Sequence, residues 1–369
     1  MRCYDVAIIG AGIAGASLAA ELAGDLSVLI LEAEAQPGYH ATGRSAAFWS
    51  ETYGGPAIQP LTTASYDFLS APPADFASAG FLHARGALHI GKASEVAAAK
   101  AMEQDFARSG VRLDRIDATA IDAILPGRRP GWDIALWEAE CCDIDVAALH
   151  QAYLRRASRN GAMLIVRAAV TGLEQVSGGW KIETRAGDFE AAALVNAAGA
   201  WADKIAAIAG MPTMGIRPYR RTMVQLQITP GAPSDLPLIV GLDGSFYFKP
   251  EAGGRIWLSP HDEIPSEPCD AAPDEIDIAR AIARFEEVVE WKVERIEHKW
   301  AGLRSFAPDR LPVIGFAPTH PGFFWLAGQG GFGIQTAPAV ASISAALFRR
   351  VSVDISSVDH SRYSPQRFC

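Results

Sequence analysis

Gly10-Ala11-Gly12-Ile13-Ala14-Gly15 is the run whose reading decides the fold. Before it, Tyr4 to Ile9 is an apolar run of strand length. After it, Ala16 to Ala23 has helical composition, Ser27 to Leu31 is a second apolar strand, and Glu32 ends that strand. Strand, glycine turn, helix, strand and terminal acid in this order form the βαβ unit that binds a dinucleotide. Gly10 allows a tight turn, Gly12 lets backbone approach a pyrophosphate, and Gly15 lets the helix pack closely on the sheet. The pyrophosphate meets the backbone of Ala11, Ile13 and Ala14 at the helix N-terminus, where unpaired N–H groups and the dipole favour an anion. Glu32 can accept hydrogen bonds from a ribose diol. Three spaced glycines alone are weak evidence, because glycine also serves ordinary turns; the complete ordered unit carries the reading. It does not separate FAD from NAD.

The next segment does. Glu32 runs through Ala33 into a loop containing Thr42-Gly43-Arg44-Ser45-Ala46-Ala47, rich in small residues. Small side chains let backbone approach a flat ring system, and Arg44 with Ser45 can serve a pyrophosphate or a flavin edge. A nicotinamide domain would proceed to a third strand here. FAD is therefore the expected cofactor.

Composition bounds the rest. A chain of 369 residues, 49% hydrophobic and 20% charged, has room for a large core and about two domains. A formal charge of −9 without a basic stripe excludes nucleic acid as the expected partner. Cys3, Cys141, Cys142, Cys269 and Cys369 show no metal-ligand spacing and fit a reduced cytoplasmic enzyme better than a disulfide framework. Val6 to Ala20 faintly resembles the apolar part of a signal peptide. Asp5 stands where a positive flank belongs, and the run is too short to span a membrane, which takes ~20 residues. No transmembrane segment is expected.

Further along, the chain resembles the D-amino acid oxidase family of flavoproteins. Val195-Asn196-Ala197-Ala198-Gly199-Ala200-Trp201 is similar to that family's second FAD strand and turn. Trp300-Ala301-Gly302-Leu303-Arg304-Ser305 is similar to the strand that presents an arginine above the flavin. Gly328-Gln329-Gly330-Gly331-Phe332-Gly333-Ile334-Gln335-Thr336 resembles its C-terminal flavin loop. The resemblance assigns Val170, Ala198, Gly199, Trp201, Gly331, Phe332, Gly333, Ile334 and Gln335 to FAD. Within the family, Gly38-Tyr39-His40, Thr42 to Ala47, Ser245-Phe246-Tyr247 and Gly333 to Thr336 look most like D-arginine dehydrogenase. That likeness implies noncovalent FAD, with His40 making an ordinary loop hydrogen bond rather than a flavin linkage.

The expected fold is α/β: a Rossmann-like FAD-binding domain from residues 1–48, 140–211 and 300–369, and an α+β substrate domain with a mostly antiparallel sheet from 49–139 and 212–299. Helices are expected at Ala64 to Leu69, Ala93 to Ser109, Val146 to Asn160 behind an Asp145 cap, Glu275 to Val288 and Ile334 to Arg350. Expected strands include Ala87 to Ile90, Ala162 to Val170, Thr222 to Ile228, Leu238 to Val240, Ser245 to Lys249 and Arg255 to Leu258, with a hairpin turning at Ala186-Gly187. The tail after Val351 reads as a surface appendage.

Oxidising an amino acid at its α-carbon requires a clamped carboxylate, a Cα–H aimed at flavin N5 and a neutral amine. Arg304 suits the clamp, because a guanidinium matches a carboxylate with two parallel hydrogen bonds. Tyr247 can add another, and Arg221 is the second cation unless Arg220 takes its place. Tyr53 lies on a Trp49 to Gly54 stretch that reads as a cover, and Gln335 touches flavin or substrate. Where the D-arginine enzymes carry an acid and a loop histidine, this chain has Ala87 and Phe48, and Glu51 is the acid that could compensate. A neutral D-amino acid is the expected substrate, with a quinone-type carrier or dioxygen as electron acceptor. The rivals are a flavin 2-hydroxy acid dehydrogenase, which needs a base and for which only His40 and His83 offer candidates, and a glycine- or sarcosine-type amine oxidase.

Overall fold

Alternation decides which face each strand shows, and here it sorts the chain into two large sheets. A computed structural model describes residues 3–353, 355 and 357–368. In the first sheet Cys3–Ile9 lies between Val28–Leu31 and Gly187–Asn196, all parallel, and Met163–Ile165 adds parallel to Val28–Leu31. Val28–Leu31 is buried along its whole length, as a strand covered on both faces must be. The hairpin Gly179–Thr184/Gly187–Asn196 turns where expected, and its second strand runs on into the Val195-Asn196 motif. His320–Ala327 joins beyond, parallel to Leu194–Asn196, with Val313–Ala317 antiparallel to it. Helix Ile13–Leu22, apolar almost all round, packs against helices Val146–Arg159 and Ala337–Arg349.

The second sheet is mostly antiparallel, as expected. Its order is Gln329–Gly330, Lys292–Phe306, Arg217–Thr229, Arg255–Ser259, Tyr247–Glu251, Leu238–Gly241, Ala87–Gly91, Ile134–Glu138 and Asp114–Arg115. Leu88, Ile90, Val224, Leu226, Phe246, Phe248, Ile256 and Leu258 point to one side and form a core with helix Glu275–Val288. The other side carries the chemistry. Arg304 pairs with Tyr219 and Gly302 with Arg221, so Arg304 and Arg221 are diagonal neighbours on one face. Tyr247 pairs with Val240, Val240 with His89 and Ala87 with Glu138, which puts Tyr247, His89, Ala87 and Glu138 on that face too.

Several expectations need correction. Ala162 to Val170 is not one strand: the chain pairs over Met163–Ile165, then turns at Arg167 (φ 56°) as Arg167 N–H and Ala168 N–H donate to the carbonyls of Glu34 and Glu32. A separate strand begins at Val170. The helix expected from Ile334 starts at Ala337, with Pro338 in its first turn, where a missing N–H costs nothing. Ala64 to Leu69 is split at Ser65 into helices Gln59–Ala64 and Tyr66–Ser70. The tail is not an appendage, since Val358 and Tyr363 are buried in the first core and the Tyr363 hydroxyl donates to the Ala57 carbonyl at 2.7 Å. The four described cysteines are free, and Cys369 lies outside the described residues. No described helix is long and apolar enough to cross a membrane.

Candidate active site

A cavity of about 400 Å³ opens at the carboxyl ends of the parallel strands, where Ile9, Gly10, Leu31, Glu32, Ala197, Ala198 and Leu326 to Gly328 meet. This is where an open parallel sheet binds its ligand. The turn is built as its glycines require. Gly10 has φ +104°, and a Cβ there would stand 2.5 Å from the Ala197 carbonyl oxygen; at Gly15 a Cβ would stand 1.9 Å from the Gly10 oxygen. Ala11 N–H donates to Glu32 Oε2 and Glu34 N–H to Glu32 Oε1, both at 2.9 Å. The Glu32 carboxylate therefore braces the turn and still has lone pairs facing the cavity. Thr42 Oγ1 accepts from Ile13 N–H at 3.0 Å. Two of the backbone donors expected at the pyrophosphate, Ala11 and Ile13 N–H, are thus taken within the protein, while Gly12 and Ala14 line the cavity at the helix start.

Of the residues expected at FAD, Gly10, Gly12, Ile13, Ala14, Glu32, Ala33, Thr42, Arg44, Ser45 and Ala46 line this cavity. From the later motifs, Val170, Ala198, Gly199, Trp201, Gly331, Gly333 and Ile334 line it as well. Ala11 and Gly15 lie beneath it, and Gly43 closes a turn with its N–H on the Gly38 carbonyl. Ala47 and Gln335 line a smaller cavity instead. Phe332 lines neither; it is 5% exposed and packs on Ile58 and Phe306. Arg44 corrects a second expectation. Its guanidinium is spent on Asp270 and on the carbonyls of Ala271 and Ala301, which ties the loop to the second sheet and leaves it no free donor face for a pyrophosphate. His40 makes a loop hydrogen bond, Nε2 to Glu34 at 2.9 Å, beside the Trp201 ring. Gln329 Nε2, buried at the cavity wall, has no partner among the described residues. A helix start at the cavity wall, an acid at the second strand end and an orphaned donor farther along suit a long dinucleotide ending in a carbonyl-bearing ring.

The smaller cavity, about 20 Å³, adjoins the first and shares Tyr247 and Arg304 with it; Phe48, Tyr53 and Gln335 complete its wall. Arg304 Nη1 donates to the Tyr53 hydroxyl at 2.6 Å, leaving that hydroxyl's own proton available. Among the described residues the Tyr247 hydroxyl finds only the Met223 sulfur, at 3.0 Å, a weak acceptor. Arg221 is 4% exposed and its Nη1 is an orphaned donor. Burial first, and then the Arg304 charge, pull its pKa down to about 10. Burial pulls Arg304 the same way, but Tyr53, Tyr247 and the acids Glu263 and Asp262 more than offset it. The Arg220 alternative is settled, because Arg220 points to the other face and pairs with Asp277. Arg221 also donates from Nε to the Asp262 carbonyl at 2.6 Å and pairs with Glu263 at 3.3 Å, so what the site still offers an anion is the Arg221 Nη1 donor and the two phenol protons.

Ala87 does not reach this site. It is wholly buried, lines neither cavity, and packs with Tyr247 and Cys141. Glu51 does not compensate either, because its carboxylate accepts from Thr63 and Gln59 on the neighbouring helix. Phe48 does belong, with its ring 5.2 Å from Tyr53 and 6.1 Å from Tyr247. His83 is exposed on the strand Leu82–Ala84.

Two residues escaped the sequence reading. His261, after the strand Arg255–Ser259, sits edge-on to Tyr247 at 5.5 Å and donates from Nδ1 to the Gly244 carbonyl at 2.5 Å. Burial, Arg221 and Arg304 together push its pKa down to about 3, so it is a neutral imidazole beside the clamp. No motif marks it. Glu138, 1% exposed, ends the strand Ile134–Glu138; an acid closing the apolar run Ile134 to Trp137 was the available signal.

Residues 5–347 match the family model for FAD dependent oxidoreductases, and the chain belongs to that family; FAD is its cofactor. Glycine oxidase from Geobacillus kaustophilus is 26% identical over 206 residues, 53% of this chain and 50% of that one. Its crystal structure superposes with a TM-score of 0.87 at 23% identity, covering 100% of both chains. The L-proline dehydrogenase of P. horikoshii gives 0.85 at 23% identity, over 100% of this chain and 98% of that one. Mouse dimethylglycine dehydrogenase is 28% identical over 60% of this chain but 28% of its own length. The chain spans about a third of the curated relatives it matches first. These matches support the family and the fold, not the D-arginine subgroup in particular.

Proposed function

We propose that the chain oxidises the carbon–nitrogen bond beside the carboxylate of a neutral amino acid, of the D hand where the substrate is chiral. The product is an imine that water converts to a 2-oxo acid. The observation that carries this reading is the convergence of Arg304, Tyr53 and Tyr247 on a small cavity adjoining the flavin site, with Arg221 beside them on the wall of the larger cavity, donors to spare and no acid among the described residues of the small cavity's wall. FAD, when bound, supplies the acceptor for the two electrons of the α-hydrogen. The residues of the chain hold the carboxylate, and hence the α-carbon, at the ring.

The preference for neutral side chains rests on the same wall. Glu32 and Glu34, the acids among the described residues lining the large cavity, stand at the nucleotide end; Phe48 stands at the substrate end. A guanidinium or ammonium side chain buried there lacks a partner, a loss of about 2–5 kcal/mol. The D hand rests on the likeness of Gly38-Tyr39-His40, Thr42 to Ala47, Ser245-Phe246-Tyr247 and Gly333 to Thr336 to the D-arginine enzymes. A second reading, a glycine- or sarcosine-type substrate, is favoured by the tightness of the smaller cavity and the likeness to glycine oxidase.

Anaerobic mixing of the yellow holoprotein with candidate substrates tests both. D-alanine, D-leucine, D-methionine and glycine are expected to bleach the flavin faster than D-arginine by on the order of 10²-fold, the equivalent of about 3 kcal/mol. Preference for D-arginine, or bleaching by 2-hydroxy acids or L-amino acids alone, overturns the proposal. Reoxidation by dioxygen or by a quinone then identifies the acceptor.

A further inference from the structure

Glu138 is a buried carboxylate with no part in holding substrate or cofactor, yet five donors converge on it. Ser50 Oγ lies 3.0 Å from Oε2, Thr52 Oγ1 2.7 Å and His89 Nε2 3.1 Å, while the N–H groups of Glu51 and Thr52 reach Oε1 at 2.8 and 3.4 Å. Four of the five come from Ser50 to Thr52, the turn that leads directly into Tyr53. Two hydroxyls, two peptide N–H groups and an imidazole N–H call for a partner that only accepts, which an ionised carboxylate is and an amide is not. Burial raises the carboxyl's pKa, but the bonds from His89, Thr52 and Ser50 outweigh it and hold the group below the ordinary glutamate value.

The turn is held from the opposite side as well. Gln335, on the C-terminal flavin loop, accepts from Ser50 N–H at 3.3 Å and donates to the Tyr53 carbonyl at 3.2 Å. Beyond Thr52, the Tyr53 hydroxyl takes the Arg304 hydrogen bond. The route from Glu138 to the clamp is therefore short: carboxylate, turn, phenol, guanidinium. We propose that Glu138 is a positioning residue of the carboxylate clamp, acting through the Ser50–Thr52 turn to fix the Tyr53 hydroxyl against Arg304. This rests on the clamp reading above and adds to it a residue that touches neither substrate nor flavin.

The test uses the FAD-loaded enzyme and Glu138→Gln. The amide keeps the shape but turns an N–H₂ donor towards donors, so the turn must shift. KM for the amino acid, and Kd for propionate read from the flavin difference spectrum, are expected to rise on the order of tenfold, with kcat at saturation within about twofold. In a Tyr53→Phe background the same substitution is expected to change KM and Kd by less than about twofold, because its effect passes through that hydroxyl. If Glu138→Gln does not fold, Thr52→Val removes one of the same bonds and is expected to shift KM and Kd in the same direction by a smaller factor. Unchanged KM and Kd in the folded variant, or an undiminished effect in the Tyr53→Phe background, overturns the proposal. Arg304→Met separates the two levels. If it leaves propionate binding unchanged, the clamp reading fails; if it abolishes binding while Glu138→Gln does nothing, the positioning role alone fails.

Discussion

His261 shows how a single side chain can be committed by its neighbours. A carbonyl only accepts, so the short contact with Gly244 places the imidazole hydrogen on Nδ1 and leaves Nε2 as an acceptor. Burial and the two clamp guanidiniums disfavour a second proton, against which the Gly244 carbonyl acts weakly, and the pKa falls from 6.5 to about 3. The sign of the consequence follows from linkage. Between those values the unfolded chain binds a proton that the folded chain refuses, so stability from this group is complete above pH 6.5 and is lost as pH falls towards 3. Thermal unfolding of the holoprotein at pH 7 and at pH 4.5, compared with His261→Gln, measures it. The variant is expected to lose less of its melting temperature across that interval, and equal losses refute the assignment. Neutrality also matters to chemistry. An imidazole held at a pKa of about 3 is too weak a base to take a hydroxyl proton at neutral pH, so His261 does not supply the base that hydroxy acid oxidation needs, and the substrate panel checks that point.

At the scale of elements, what is periodic was legible and what depends on a distant partner was not. Glu275–Val288 and the start of Val146–Arg159 behind its Asp145 cap fell where composition placed them, because an amphipathic stripe and a capping acid are local features. The break after Met163–Ile165 was missed because it is caused by the Glu32 and Glu34 carbonyls, far away in sequence. Gly10 is local and non-local at once. Its φ of +104° is a demand that glycine meets freely, while the Ala197 oxygen, 2.5 Å from where a Cβ would be, belongs to the end of the neighbouring strand. Gly10→Ala must therefore strain the turn or push the two strand ends apart, at a cost of about 2–4 kcal/mol located under the dinucleotide. The expected outcome is a folded protein purified with on the order of a tenth of the wild-type flavin content, measured from visible absorbance against protein concentration. Full flavin content in Gly10→Ala would mean that the turn relaxes without cost.

The site as a whole was legible in its parts but not in its connections. Arg304, Tyr247, Arg221, Tyr53 and Phe48 came from motifs and the family resemblance and do meet, whereas Glu138 and His261 join through a strand pairing and a ring contact whose partners lie far away in sequence. The C-terminal tail was misjudged for the same reason. Its sequence shows no periodicity, and its burial is created by surfaces contributed from elsewhere. Arg367 pairs with Asp309 and donates to the Leu311 carbonyl, and Tyr363, 1% exposed, enters the core of the first sheet. The Tyr363 hydroxyl ends on the Ala57 carbonyl, four residues after Tyr53, so the tail braces the segment that follows the Ser50–Thr52 turn. Removing a large buried ring leaves a cavity that the surroundings fill only in part, and costs about 3–5 kcal/mol, whereas removing the hydroxyl alone costs about 1 kcal/mol. Tyr363→Ala is thus expected to lower the melting temperature of the holoprotein by several degrees, and Tyr363→Phe by no more than about two. Both are measured at fixed FAD concentration, since bound cofactor stabilises by mass action. If Tyr363→Ala melts within a degree of wild type, the tail is the loose appendage its sequence suggests. If it melts low and also raises KM while Tyr363→Phe does neither, the tail holds the segment carrying Tyr53 as well as the core.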